Sequence, residues 1–441
     1  MPTGREATVK AAQRPCEKGL CVAAVSMGYG HLRAAHALAE HLDCAVAEVD
    51  AAPWAGPAER LLWSVARNAY EGLSRLSQRP AAGHLGRRLL SRLTAIDGDL
   101  PSSPRGRNAV RLLRGLIRVG LGARLAGHLD RHRRPLLTTF YAPALGVDRW
   151  GCTPVACLIT DSDIHPIWAP GDPSASRILY LTPNAGVRAR LLSYGVPEER
   201  IEVTGFPLPP ALVGCRDRDA LKRNLADRLI RLDPAGRFLT NHRNEVEQEL
   251  GPLSAAARRA PLIVFAVGGA GAQADRAATV LDDLGHPLRQ EMVRLALVAG
   301  TRRRVRDRFR EMVRRRGLDT AGVTVLHASD FASYYRRFNA LLAEADLLWT
   351  KPGELVFYGA LGLPLVLADA VGDHEECNRR WADDCGATVQ IGARGTAWSS
   401  ISRGLEDGRL VTAAWKAYRS MPAEGLCKIA EVLEERAFTS R

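Results

Sequence analysis

No run in this 441-residue sequence reaches the roughly eighteen uninterrupted apolar residues that a membrane-spanning helix requires. The longest candidate, Pro261–Ala274, is broken by glycines and reads as a buried strand with its loop. Residues 1–19 carry charges of both signs and no apolar stretch, which argues against a secretory leader, and a cytoplasmic chain is expected. There is no Cys-x-x-Cys pair. The nine cysteines (Cys16, Cys21, Cys44, Cys152, Cys157, Cys215, Cys377, Cys385 and Cys427) are scattered, and their two x4 spacings lack histidines at zinc-finger distance. Reduced structural thiols are expected in that compartment. Lysine is scarce, with six residues against 55 Arg, and aromatics are 6% of the chain. What remains, 46% hydrophobic and 25% charged, excludes a mainly disordered or fibrous protein.

The charge balance is one-sided, with 61 Lys+Arg against 48 Asp+Glu and a formal net charge of +13. A polyanion, an anionic membrane surface or a phosphorylated substrate all suit such a balance. The extreme arginine skew resembles codon bias at least as much. Residues 101–134 concentrate it, with nine Arg and one acid, Asp130. There Arg111, Arg114 and Arg118 share one helical face, and Val110, Leu113, Ile117 and Leu121 another. Such a helix can lie on a bilayer. The favoured reading is a solvated helix packing its apolar side on a core.

Short apolar runs alternate with glycine-rich turns and amphipathic helices in two series. The first predicts strands at Leu20–Val25, Ala45–Val49, Pro135–Thr139, Thr153–Ile159, Ile178–Leu181 and Ile201–Thr204, with a turn at Met27–His31 and a helix at Ala34–Leu42. The second predicts strands at Pro261–Val267, Leu295–Ala299, Val323–Leu326, Asp346–Trp349 and Pro364–Ala368. Strands separated by helices imply parallel sheets covered on both faces, hence an α/β chain of two doubly wound domains. Closely spaced prolines at Pro207–Pro210 mark the boundary. The expected division is a tail at 1–19, an N-terminal domain at 20–210 and a C-terminal domain at 211–441 whose last helices pack back on the first. Ligands of this class bind outside the carboxyl ends of the strands, so the turns there carry the functional signal.

Four such turns stand out. Ser26–Ala35 holds Gly28, Tyr29, Gly30 and His31 between a strand and a helix, where glycines let the backbone approach a ligand and imidazole can take a proton from a hydroxyl. It fails as a nicotinamide fingerprint, because Arg33 stands at the third glycine position. The plain alternative is a histidine packing on the helix start. Thr160–Trp168 holds Asp161 and Asp163, either divalent-cation ligands or a polar turn with self-capping carboxylates, together with His165 and Trp168. With no further acidic ligand nearby, no metal is expected. Val267–Gln273 is a small-residue turn suited to cradling a phosphate, but it is not a P-loop, since no Lys-Ser/Thr follows. Thr350–Glu354 and Gly372–Asn378 present Lys351, Glu354, Glu375, Glu376 and Asn378, a mixture suited to phosphate and sugar hydroxyls, or two ordinary helix starts.

Together these turns resemble the GT-B superfamily of sugar-nucleotide glycosyltransferases, in particular the lipid II-forming N-acetylglucosaminyltransferase and the mono- and diglycosyl-diacylglycerol synthases. Gly28–Ala37 is similar to their Gly-x-Gly-His turn, Leu158–Trp168 and Tyr180–Pro207 to a lipid-synthase stretch, and Gly268–Gln273 to their diphosphate turn. Thr350–Pro364 matches their Thr-Lys-Pro-Gly to Gly-Leu-Pro run, and Glu375–Asn378 their Glu-Glu-x-Asn. The resemblance covers most of residues 20–390.

It implies two Rossmann-like domains facing each other across a cleft, with donor on the C-terminal and acceptor on the N-terminal domain. Gly268, Gly269, Ala270 and Gly271 would hold the diphosphate, and Lys351, Pro352, Gly353, Glu354, Glu375, Glu376 and Asn378 the phosphate or sugar. Gly28, Tyr29, Gly30, Asp163, His165 and Trp168 would serve the acceptor. His31 would be the base, with Asp161 its rival. The implied reaction is inverting transfer from a uridine-type nucleoside diphosphate sugar to a lipid or small-metabolite acceptor, with no cofactor or metal. An anionic membrane surface is a further candidate partner, giving a peripheral location on the inner membrane face; nucleic acid is not expected. One position departs from the family: where it places a ribose-binding Glu, seven residues before Pro364, stands Phe357, and Glu354 is the candidate substitute. The competing readings are a sugar-nucleotide 2-epimerase and a catalytically inactive ligand-sensing relative.

Overall fold

The computed structural model describes residues 19–76, 107–214, 216–253, 259–268, 274–370, 372–392 and 397–438. The chain divides into two compact units: Met1–Pro210 with Gly372–His374 and Glu424–Arg441, and Ala211–Val371 with Glu375–Ala423.

The first unit is built on six parallel strands: β1 (Cys21–Ala24), β2 (Val46–Glu48), β3 (Leu136–Thr138), β4 (Val155–Leu158), β5 (Leu179–Thr182) and β6 (Ile201–Val203), in the order β2-β1-β3-β4-β5-β6. The central strands are buried at every position and apolar but for Thr138 and Thr182, as a parallel sheet under helices requires. Cys157, at the middle of β4, is fully buried, and burial pushes its thiol up, which leaves it inert. The order reverses between β1 and β3, because the chain leaves β1 for β2 on one side and returns to β3 on the other.

Two local expectations are corrected here. The first helix spans Tyr29–His41 and not Ala34–Leu42. Gly28, at φ 101°, ψ 161°, turns the chain in a conformation closed to other residues, so the helix starts at once and His31 lies in its first turn. The arginines of helix Arg107–Arg118 do not act as one face either. Arg111 and Arg118 are exposed, but Arg114 bends onto the backbone, donating from Nη2 to the Pro170 carbonyl at 3.3 Å. The opposite side packs as the periodicity predicts, with Ile117 and Leu121 buried in the core. Residues 101–106 of the basic stretch lie outside the described residues.

Asp130, the acid of that stretch, is a hub. Its carboxylate accepts from Cys152 N, Thr153 N and Thr153 Oγ1 at 2.9–3.0 Å, tying helix Ala123–Arg131 to the entry of β4. Partial burial opposes its charge, but these bonds and the nearby Arg177 outweigh it and hold the carboxyl below its usual range.

The second unit has five parallel strands: β7 (Leu262–Ala266), β8 (Arg294–Gly300), β9 (Val323–His327), β10 (Leu347–Thr350) and β11 (Leu365–Leu367), in the order β11-β10-β7-β8-β9. Here the reversal falls between β7 and β10. Buried charge locks this pair at its amino ends. Asp346, fully buried, accepts from Arg231 Nε at 2.7 Å, Arg259 Nη1 at 2.9 Å and Leu262 N at 2.8 Å. Arg228, also fully buried, donates to the carbonyls of Ala345 at 2.7 Å and Leu361 at 2.6 Å. Burial lowers its pKa to about 10, so it stays charged at neutral pH. All eleven expected strands are present, with ends shifted by one or two residues. Among the described residues, no helix is long and apolar enough to cross a membrane.

Two substitutions test these anchors. Asp346→Ala strands two guanidinium groups and a backbone N–H, and a loss of about 3–5 kcal/mol is expected as a lower denaturant midpoint at unchanged slope. Asp130→Asn is expected to cost about 2 kcal/mol at neutral pH. Because the folded pKa of Asp130 is depressed, its contribution is full above the ordinary carboxylate pKa and fades as pH falls through the depressed one. Melts of the two proteins against pH should therefore converge in acid.

Candidate functional site

In the first unit the carboxyl ends of β1, β3 and β4 converge on His31. Its Nδ1 lies 2.7 Å from the Thr139 carbonyl and 3.1 Å from Thr160 Oγ1, and Thr139 Oγ1 donates back to the His31 carbonyl at 3.0 Å. A carbonyl only accepts, so in the neutral ring Nδ1 carries the proton and Nε2 keeps its lone pair. Aromatic rings fix the imidazole: Phe140 meets it edge-on at 4.7 Å and Trp168 lies at 6.4 Å, with Tyr141 against both. Trp63, from helix Pro57–Leu76, extends the set beyond Phe140 at 6.3 Å. Beneath it the turn is pinned by Ser26, whose N–H donates to Asp50 at 3.2 Å and whose hydroxyl donates to Glu48 at 2.8 Å.

Other residues expected here have structural places instead. Asp163 is held by Arg190 through two bonds, 2.9 and 2.8 Å, and also accepts the Ile164 N–H. His165 is buried, and its Nδ1 accepts the Ile167 N–H at 3.0 Å, capping the turn Pro166–Trp168. Trp168 is buried too, its carbonyl taken by Tyr180 Oη at 2.7 Å, but its ring remains beside His31. Gly28, Tyr29 and Gly30 form the start of the His31 helix, with Tyr29 lying under the Arg33 guanidinium. Asp161, partly buried, is in the turn after β4.

In the second unit, Lys351 follows β10 at the strand-order reversal. A Cβ on Gly268, just past β7, would fall 2.9 Å from Lys351 Cε, and one on Gly353 would fall 3.7 Å from its Nζ, so the lysine stem runs between two glycines. The ammonium meets Glu375 Oε1 at 2.5 Å. Glu375 is 4% exposed, and the ion pair fixes the lysine in place. Asn378, three residues on and fully buried, donates from Nδ2 to the Pro352 carbonyl at 3.3 Å. It supports the turn and is not open to a ligand, contrary to the resemblance. Glu376 points elsewhere, paired with Arg379 at 2.6 Å, and that bond holds its carboxyl below the usual range. Phe357, at the expected ribose position, is buried against Trp381 at 4.9 Å. Glu354 opens the short 3-10 helix Glu354–Leu361 and is partly exposed. Gly269, Ala270 and Gly271 lie outside the described residues.

No protein-family model matches this chain, and no curated protein matches it. Solved structures similar to it include MurG of Acinetobacter baumannii, at 14% identity, 94% of this chain, 99% of that chain and a TM-score of 0.44. Another is HepE of Anabaena in complex with UDP, at 13%, 94%, 100% and 0.42. A third is the UDP-GlcNAc 2-epimerase of Methanocaldococcus jannaschii in complex with UDP-GlcNAc and UDP, at 11%, 94%, 99% and 0.40. These likenesses are loose, and the functional reading rests on this chain's own residues. In strand order, the two units are the doubly wound pair that the GT-B resemblance implied.

Sequence reasoning missed Thr139, Phe140 and Tyr141. Their signal was available: a polar residue followed by two aromatics directly after β3, the strand beside the reversal. The His31 geometry makes one spectroscopic prediction. Imidazole nitrogen NMR should find the Nδ1–H tautomer in the neutral ring, and Thr160→Val should leave it unchanged, since the Thr139 carbonyl sets it.

Proposed function

We propose that this protein is a glycosyltransferase, moving a sugar from a nucleoside diphosphate sugar, of the uridine type, to a hydroxyl or amine of a lipid or small metabolite. The observation that carries the reading is Lys351, a cation laid between Gly268 and Gly353 at the strand-order reversal and charge-fixed by a buried glutamate. One of its N–H groups meets Glu375, and its positive charge suits the oxygens of a departing diphosphate. In the step, an acceptor oxygen attacks the anomeric carbon as the bond from that carbon to the diphosphate breaks, inverting configuration. The electron pair leaves with the diphosphate. The acceptor proton goes to the His31 imidazole, whose Nδ1 lies on the Thr139 carbonyl. No metal enters this scheme. The partly buried Tyr141 ring, packed on Phe140 and Trp168, favours an acceptor with an apolar body.

Calorimetry with uridine diphosphate in the absence of metal tests the proposal. Binding is expected, weakened about tenfold or more by Lys351→Ala. Gly268→Ala should weaken it similarly while barely changing the melting temperature, because the colliding neighbour is a flexible side chain. His31→Gln should leave binding intact and lower turnover about a hundredfold or more. Absence of binding to uridine, guanosine and thymidine diphosphates alike would overturn the reading in favour of a scaffold or sensor.

A further inference from the structure

The second sheet ends at β9, and among the described residues no strand pairs with its outer edge. Whereas β7 is buried at all five positions, β9 leaves Thr324 exposed and Val323, Val325 and His327 half-buried. The register sets which backbone groups point outward. Leu295, opposite Val323, donates to the Gly322 carbonyl at 3.2 Å, so Gly322 and Thr324 face β8. The N–H and C=O groups of Val323 and Val325 then face away from it. The next carbonyl along that edge, of His327, accepts from Arg337 Nη1 at 2.6 Å.

Positive charge flanks this edge on both faces. The chain moves outward from β8 to β9 through helix Arg303–Arg315 and back to β10 through helix Phe331–Glu344. Right-handed crossovers in opposite directions put those helices on opposite faces of the sheet. Residues 302–337 hold eleven Arg against four acids. Of the acids, Asp307 meets Arg306 at 2.6 Å, Glu311 meets Arg314 and Arg315, Asp330 accepts the Ser333 N–H at 2.8 Å, and Asp319 is exposed. Arg303, Arg304 and Arg310 are exposed, and among the described residues none of them pairs with an acid. Burial, with Arg306 and Arg303 nearby, holds the His327 imidazole below its ordinary range, which places both arginines at the carboxyl end of the edge.

We propose that the outer edge of β9 docks an extended acidic segment of a partner protein, which adds to the sheet as a further strand. Its backbone pairs with Val323 and Val325, and its carboxylates, alternating between the two faces, meet the arginines of both helices. A nucleic acid or a lipid headgroup supplies negative charge but no strand backbone. A second copy of β9 would bring eleven more arginines against the first set. This does not depend on the transferase reading.

Fluorescence anisotropy on the full chain tests it, with fluorescein-labelled Glu-Glu-Val-Thr-Glu-Glu as probe. The comparisons are Lys-Lys-Val-Thr-Lys-Lys, a DNA duplex, and the fully N-methylated acidic peptide, which keeps the charge but has no backbone N–H to donate. The acidic peptide should bind saturably and protect the Val323 and Val325 N–H groups from hydrogen exchange. N-methylation should weaken it about tenfold or more, and the Lys peptide should not bind. Val325→Pro should give a similar loss with the ladder to β8 kept, because its N–H points away from that strand. Arg303→Glu combined with Arg337→Glu, both at exposed positions, should weaken the acidic peptide about tenfold and admit the Lys peptide, and serves alone if the proline variant does not fold. The proposal is overturned if the acidic peptide does not bind, or if its N-methylated form binds as tightly. Tighter binding of the duplex, or a dimer in sedimentation that Val325→Pro dissociates, would also overturn it, in favour of a nucleic acid or a second copy.

Discussion

In each unit every strand runs the same way, and that constraint determines where chemistry can sit. Parallel pairing buries both faces of the sheet and sends each connection back through a helix, so every strand delivers its following turn to one end. Where the strand order reverses, neighbouring turns part and leave space for a ligand. His31 stands at the reversal between β1 and β3, and Lys351 at that between β7 and β10. Two residues far apart in the chain thus have equivalent places in two units built on the same rule.

The ends of β7 and β10 show how electrostatics serves the arrangement. At the amino ends, Asp346 is fully buried and accepts from Arg231, Arg259 and the Leu262 N–H. At the carboxyl ends, Lys351 meets Glu375, and its stem runs between two glycines. The first cluster holds the strands in register, and the second displays a positive charge on that rigid base. A cation on a floppy loop would lose much of its binding energy to ordering.

The strands were legible because a parallel strand buried on both faces is a short unbroken apolar run with turn residues at each end. The helix starting at Tyr29 was read too late, because it lacks the usual capping side chain and begins on the conformation of Gly28 alone. Asp163, His165 and Asn378 were named for ligands from their chemistry, and each also has a protein partner: Arg190, the Ile167 N–H and the Pro352 carbonyl. Arg114 illustrates the same limit, since periodicity groups it with Arg111 and Arg118 but does not show the Pro170 carbonyl it reaches.

Sequence alone determined the class of fold, the eleven strands, and the turns that matter, since apolar runs and glycine-rich turns are local signals written within a few residues. Tertiary structure decided which polar side chains remain available. Thr139 lies 108 residues from His31, and Glu375 lies 24 from Lys351, yet the first holds the imidazole and the second pairs with the ammonium. Hydrogen bonding and charge pairing act over a few ångströms in space. For residues distant along the chain, only folding brings those ångströms about.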